Sequence, residues 1–266
     1  MIKLAAFDID GTLFDEKKKE FPPSAVQALQ LLQANHILVA AATGRPPASA
    51  AALHKVGIFP DYFVCSNGHL ILDRERKILV EEGFPPRLAQ EVWDYCQANG
   101  LGLLWKYPDC TYVYREDPEF EKIFSKNKNL APQERPRVIY GDQTVHLNRS
   151  PNGGCLACSV EELARFNAAF SGRCRAVDIN GRSSDLLLWG VDKQTGLARL
   201  LERIGVAPGE CIAFGDNQND LEMLRFAGIG VAMGNGDPSL KAQSDYVTEA
   251  VDADGIYLGL KHFDLI

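Results

Sequence analysis

Residues 2–13 read IKLAAFDIDGTL, a short apolar run that ends abruptly in Asp8 and Asp10 and continues into Gly11 and Thr12. An apolar run without alternation suits a strand covered on both faces, as in a parallel sheet between two helical layers. The pattern returns at 36–43 (HILVAAAT), 61–65 (DYFVC), 211–214 (CIAF) and 229–233 (IGVAM). Helical segments are expected between these runs at 24–34 (SAVQALQLLQA, with Ser24 as N-cap), 47–56, 194–204 and 219–226. Strand and helix alternating in this way predict an α/β fold built on a doubly wound parallel sheet. A hairpin is expected around 70–80 (LILDRERKILV), where charged residues occupy the turn.

The character of the chain changes between 83 and 187. FPPRLAQEVWDYCQANG reads as a Pro-started amphipathic helix, followed by aromatic strand-like pieces (LLWKY, TYVY), the charged stretch PEFEKIFSKNKN and a further helix, VEELARFNAAF. Buried parallel-strand runs are missing here, so an inserted α+β domain is expected at 83–187. The doubly wound domain is then discontinuous, 1–82 plus 188–266, with hinge candidates near 82–85 and 187–191. Trp105, Tyr107, Tyr112 and Tyr114 read as the insert's own core, although with Arg115 and Arg182 they could also line a closed site.

Composition narrows the function. The chain has 266 residues, 46% hydrophobic and 24% charged, which is ordinary for a globular protein and excludes disordered and collagenous classes. Its 35 acidic and 28 basic residues leave a net charge of −7, without the basic footprint that binds nucleic acid. The sequence shows no apolar stretch long enough for a signal peptide or a membrane span, so a cytoplasmic protein without a membrane partner is expected. The seven cysteines are an odd number lying mostly in apolar stretches, which favours reduced, buried thiols. Cys155 and Cys158 form a C-x-x-C, but with no second pair or nearby histidines they read as structural. GIGVAMG at 228–234 could suggest a nucleotide loop. Its third glycine falls one position late for G-x-G-x-x-G, however, and a buried strand with a glycine turn is the better reading.

The carboxylates carry the chemistry. In an extended chain residues i and i+2 share a side, so Asp8 and Asp10 can face one centre, where they repel unless a proton or cation lies between them. CIAFGDNQND places Asp216, Asn219 and Asp220 after another buried run. Ligands of open α/β sheets bind outside the carboxyl ends of the strands, so both clusters are expected on one rim. Thr43, Gly44 and Arg45 also follow a buried run, as do Ser66, Asn67 and Gly68. A hydroxyl and a free backbone N–H beside a glycine make a small phosphate grip, and Lys193, just before a helix, can reach the same rim. Hard oxygen ligands with no His or Cys among them point to Mg²⁺ rather than zinc.

FDIDGTL, ATGR, Lys193 and GDNQND, in that order, resemble the four motifs of the haloacid dehalogenase superfamily. The position and length of the insert resemble its Cof-type phosphatases, which carry a large cap, and MGNGDPSLKAQSDYVT with DADGI resembles their C-terminal stretch. The resemblance implies that Asp8 is the nucleophile and Asp10 the general acid and then base. It implies Mg²⁺ held by the carboxylates of Asp8 and Asp216 and the backbone carbonyl of Asp10. Thr43, Gly44, Lys193, Asn219 and the backbone of Ile9 match phosphate-binding positions, with Arg45 and Asp220 in support. The implied activity is Mg²⁺-dependent hydrolysis of a small phosphomonoester (a sugar phosphate, nucleotide or cofactor phosphate) through an aspartyl-phosphate. An acid at position 10 argues against a dehalogenase or an ion pump. A phosphomutase and a non-catalytic sugar-phosphate sensor remain as alternatives.

Overall fold

The computed structural model describes residues 1–50, 52–125 and 137–266. In chain order the strands are β1 (Leu4–Phe7), β2 (Leu38–Ala42), β3 (Tyr62–Cys65), β4 (Leu70–Asp73), β5 (Ile78–Glu81), β6 (Gly102–Lys106), β7 (Cys110–Arg115), β8 (Arg137–Tyr140), β9 (Gly154–Ala157), β10 (Cys174–Asp178), β11 (Ser183–Leu188), β12 (Cys211–Gly215), β13 (Ile229–Ala232) and β14 (Tyr246–Val247). The helices are α1 (Pro23–Ala34), α2 (Pro47–Ala50), α3 (Ala52–Lys55), α4 (Pro86–Asn99), α5 (Pro118–Ser125), α6 (Val160–Ala169), α7 (Lys193–Ile204), α8 (Leu221–Phe226), α9 (Pro238–Lys241) and α10 (Gly255–His262). They divide into two compact units. One comprises Met1–Thr43, Ala50–Leu79 and Asp192–Ile266; the other comprises Gly44–Ser49 and Val80–Val191.

The first unit is built on a sheet of order β14-β13-β12-β1-β2-β3-β4-β5. Neighbours are parallel from β14 through β3, and β4 runs antiparallel to β3. From β1 the chain steps outward through β2 and β3 on one side, and the late strands β12, β13 and β14 fill the other. The order therefore reverses between β1 and β12, which is where an α/β sheet opens a crevice at its carboxyl edge.

Every residue of β1 is buried, which accounts for its unbroken apolar run. On one face, Ala5 and Phe7 join a core with Ala28, Leu29 and Leu32 of α1 and Ile256 and Leu260 of α10. On the other face α7 and α8 pack side by side, bringing Leu197, Leu201 and Leu224 into the interior. Phe7 and Phe214, paired in register on β1 and β12, stack at 5.0 Å between ring centroids.

Local departures from the expected elements have physical causes. α1 begins at Pro23 with Pro22 in the N-cap position, and Ser24 lies inside the helix with a buried, unpartnered hydroxyl, so it is not the cap expected from the sequence. Proline at the first turn presets φ and brings no N–H to cap, which removes the need for a serine. Of the helix expected at 47–56, residues 47–50 and 52–55 are helical, and residue 51 lies outside the described residues. The helix expected from 219 begins instead as a 3-10 turn, Gln218–Asp220, before α8.

The second unit has a sheet of order β10-β11-β9-β6-β7-β8, antiparallel except for β7 with β8. α4 and α6 contribute Trp93, Cys96 and Phe166 to a core that also holds Trp105, Tyr107 and Tyr114, so these aromatic residues are interior packing. Arg115 and Arg182 are exposed. The first part of the charged stretch forms α5, and residues 126–129 of it lie outside the described residues. All seven cysteines are free and buried. Burial pushes the Cys155 thiol up to about 12, so it stays protonated as a core group.

A polar chain also crosses this unit: Tyr114 Oη lies 2.8 Å from His146 Nδ1, and His146 Nε2 lies 2.9 Å from Gln90 Oε1. The glutamine oxygen can only accept a hydrogen bond, so Nε2 carries the proton, Nδ1 accepts from the tyrosine hydroxyl and the imidazole is neutral. Burial holds His146 below the ordinary 6.5, against the opposing pull of Asp94 and Asp142.

Two outcomes follow from this packing. Phe7→Ala removes a fully buried ring and is expected to destabilise the protein by about 3–5 kcal/mol, read as a lowered midpoint in urea unfolding. Because His146 is harder to protonate folded than unfolded, the unfolded chain takes up the proton first as pH falls through about 6.5, and stability is lost on that side. His54, also lowered chiefly by burial, acts in the same sense. The buried carboxyls of Asp8 and Asp216, raised above their ordinary values, act in the opposite sense, so the histidine contribution is read by difference: from about pH 7.5 to 5.5 the melting temperature of wild type should drop relative to that of His146→Gln.

Candidate active site

Asp8 follows β1 directly, and Asp216 follows β12. The Asp8 amide donates to the Phe214 carbonyl at 3.0 Å, which carries the ladder one residue past β1 and holds the two chain ends side by side. α7 delivers the cation. Asp192 caps this helix, its carboxylate accepting from Thr195 N at 2.9 Å while Thr195 Oγ1 accepts from Asp192 N at 2.9 Å, and Lys193 becomes the first helical residue. Its ammonium, 1% exposed, donates to Asp8 Oδ1 and to Asp220 Oδ1, each at 2.6 Å.

Asp220, fully buried, also accepts at Oδ2 from the backbone amides of Asp216 and Asn217, both at 3.1 Å. Both its oxygens are thereby occupied, and it braces the loop that carries Asp216. Thr12 Oγ1 donates to Asp216 Oδ1 at 2.9 Å. Between Asp10 and Thr12, Gly11 takes φ +83°, and a Cβ there would stand 2.2 Å from Asp216 Oδ2. Only glycine lets the loop after β1 approach that carboxylate.

The electrostatics are those of an under-neutralised cluster. Burial raises the Asp8 carboxyl well above its ordinary value; Lys193 opposes the shift, and Asp220, Asp216 and Asp10 add to it. Burial, then Asp220, raises Asp216 to about 7, against the Thr12 hydrogen bond and Lys193. Burial works to lower the Lys193 ammonium, but Asp220 and Asp8 more than offset it and hold the proton firmly. Asp8, Asp216 and Asp220 each place a carboxylate oxygen within 4.8 Å of the others, and the one ammonium among them donates to Asp8 and Asp220. An all-oxygen donor set carrying this excess of negative charge fits a hard divalent cation such as Mg²⁺.

The remaining residues singled out from the sequence fall as follows. Asp10 is half-buried and close enough for its charge to act on Asp8. The Ile9 carbonyl accepts from the Leu13 and Phe14 amides at 3.0 and 2.7 Å, pinning the loop. Thr43, 1% exposed, sits at the end of β2, where its carbonyl accepts from Asn67 N at 2.9 Å. Asn219 donates from Nδ2 to Asn67 Oδ1 at 3.3 Å. Gly44 and Arg45 belong to the segment grouped with the second unit, where the Gly44 carbonyl accepts from Lys106 Nζ at 3.1 Å and Lys106 pairs with Asp185 at 2.6 Å. The sequence reading sets Asn67 on the rim within a candidate phosphate-grip stretch and gives Thr12 no role, and it foresees neither of the side-chain contacts that these residues make. Each follows a buried run, which marks them as rim residues, but the partners they meet are 204 and 152 positions away.

Comparison with known proteins agrees with this geometry. Residues 5–260 match the haloacid dehalogenase-like hydrolase family. The Bacillus subtilis (strain 168) protein YkrA is 30% identical over 266 residues, covering 99% of this chain and 98% of its own length. The HMP-PP phosphatase of Serratia proteamaculans (strain 568) is 29% identical over 250 residues, covering 91% of this chain and 87% of its own. Among solved structures, the HAD subclass IIB sugar phosphatase BT4131 superposes with a TM-score of 0.86 at 26% identity, covering 99% of this chain and 100% of that one. No described helix is long and apolar enough to cross a membrane. With the carboxylates, the lysine and the parallel sheet in this arrangement, and with a family match that spans nearly its whole length, the chain belongs to the haloacid dehalogenase-like hydrolases.

Proposed function

We propose that this HAD-type phosphatase is a Mg²⁺-dependent, cytoplasmic hydrolase of small phosphomonoesters that works through an aspartyl-phosphate at Asp8. The observation that carries this reading is the buried Lys193 ammonium held 2.6 Å from Asp8 Oδ1, a charged hydrogen bond that opposes the effect of burial on that carboxyl and fixes its place after β1. The family relatives named above act on HMP-PP and on sugar phosphates, both small phosphorylated molecules. The chain's acidity does not oppose such a substrate, because the positive charge that matters is local.

In this reading Asp8 attacks phosphorus, forming an Oδ–P bond as the ester P–O bond breaks, and Asp10 gives its proton to the departing alcohol oxygen. Asp10 then takes a proton from water, which attacks phosphorus and releases inorganic phosphate, restoring both carboxyl groups. A carboxylate approaching a phosphate oxygen is repelled by about 4 kcal/mol per unit-charge pair at 4 Å and an effective dielectric of 20. Lys193 offsets part of this, and Thr43, Gly44, Asn219 and the Ile9 backbone supply neutral donors, with Arg45 adding charge. Mg²⁺, held by Asp8, Asp216 and the Asp10 carbonyl, would supply the remaining charge neutralisation on the phosphate oxygens. The units 1–82 with 188–266 and 83–187 act in this scheme as catalytic core and cap, the cap choosing among substrates.

Asp8→Asn is expected to lower phosphate release by at least about a thousandfold across a panel of phosphorylated metabolites while leaving the melting temperature within a few degrees. Turnover surviving in that variant rejects the nucleophile assignment. Chelation with EDTA should abolish wild-type activity, and added Mg²⁺ should restore it without any bisphosphate activator; a requirement for that activator would identify a phosphomutase instead.

A further inference from the structure

Immediately after β3, Ser66, Asn67 and Gly68 take φ values of +50°, +52° and +96°. Single non-glycine residues with positive φ occur elsewhere among the described residues, but only here do two adjoin. Such backbone is unfavourable for residues with a Cβ and persists only where the surroundings hold it. The Ser66 side chain does not supply the compensation, since its buried hydroxyl has no hydrogen-bond partner among the described residues. The compensation lies in what the turn brings together. The Asn67 amide donates to the Thr43 carbonyl at 2.9 Å, tying the turn to the end of β2. Gly68 lies against the start of α7, where an added Cβ would meet the Asp192 carbonyl oxygen at 2.0 Å. The Asn67 side chain, 2% exposed as a residue, then accepts from Asn219 Nδ2.

We propose that Asn67 is a positioning residue for phosphate binding. Its side-chain oxygen holds one N–H of the Asn219 amide, which fixes the rotamer and the sense of that amide and leaves the second N–H for the phosphate. This rests on Asn219 acting as a phosphate donor, as in the function proposed above. An asparagine amide has two N–H donors and one acceptor oxygen, so without a partner it can flip and present its oxygen to the anion. The strained turn is what allows a side chain leaving β3 to reach a loop 152 positions away, and asparagine is among the few side-chain-bearing residues that tolerate the left-handed region.

The test compares wild type, Asn67→Gly, Asn219→Ala and the double variant. Glycine accepts the backbone at 67, so Asn67→Gly deletes the side chain without adding strain, and thermal melts verify that each protein is folded. The readouts are the inhibition constant of inorganic phosphate and kcat/KM on para-nitrophenyl phosphate with Mg²⁺. Asn67→Gly should weaken phosphate inhibition and lower kcat/KM by roughly three- to tenfold. Asn219→Ala should cost more, and the double variant should be no worse than Asn219→Ala alone, because Asn67 acts only through that residue. Losses that multiply, or an Asn67→Gly protein indistinguishable from wild type, overturn the proposal. If Asp8→Asn remains active, the reading of the whole site is at fault; if Asp8→Asn is inactive and the losses multiply, only the positioning role is.

Discussion

The ammonium of Lys193 between the carboxylates of Asp8 and Asp220 is the contact on which the site depends. Both carboxylates are almost wholly out of water, and a buried charge without a partner is far costlier than one that is paired and hydrogen-bonded. Placing that ammonium requires a helix start at one point in space. The Asp192–Thr195 capping box fixes where α7 begins, and the seating of α7 on the turn after β3 fixes how close it comes. A Cβ on Gly196 would stand 2.6 Å from the Gly68 Cα, so the two backbones touch directly. Helix geometry, loop geometry and charge balance are thus one constraint expressed three ways.

The sheet explains why residues from distant parts of the chain converge. β1 is central, with β2 on one side and β12 on the other, so anything following β1 or β12 stands at the reversal point of the strand order. The cost is visible in the carboxyl groups. Asp8 and Asp216 are both harder to ionise than ordinary aspartates, chiefly because of burial. In the function proposed above, a cation entering the cluster would relieve this unfavourable ground state, its ligands being already gathered.

Much of this was legible in the sequence. Strands covered on both faces leave unbroken apolar runs, and IKLAAF and CIAF are written in that form because β1 and β12 have helices above and below. The polar residues just beyond each run were therefore assignable to one rim. The start of α1 was not, because Ser24 has the right chemistry for a cap while the preceding prolines make a cap unnecessary. The contacts of Thr12 and Asn67 escaped for another reason: each is closed by the tertiary fold, and no local spacing encodes it. The aromatic residues of the inserted unit read correctly as packing, since a small sheet with helices on it needs large side chains to fill its interior.

The discontinuity of the first unit has a consequence for synthesis. β1 is made well before its neighbour β12, which begins only at Cys211, after the whole second unit. At about 5–20 residues per second, β1 waits roughly 10–40 s for that partner. Meanwhile one edge of this wholly buried strand lacks its ladder, whereas the second unit's strands find one another within their own stretch of chain. The nascent protein thus passes through an interval in which its second unit can be built while the sheet of its first unit is half a sheet, with the Asp8 carboxylate not yet buried. Burial of Asp8 waits for the later stretch that supplies Lys193, β12 and Asp220, so the nascent chain need not hold an unpaired aspartate in its interior.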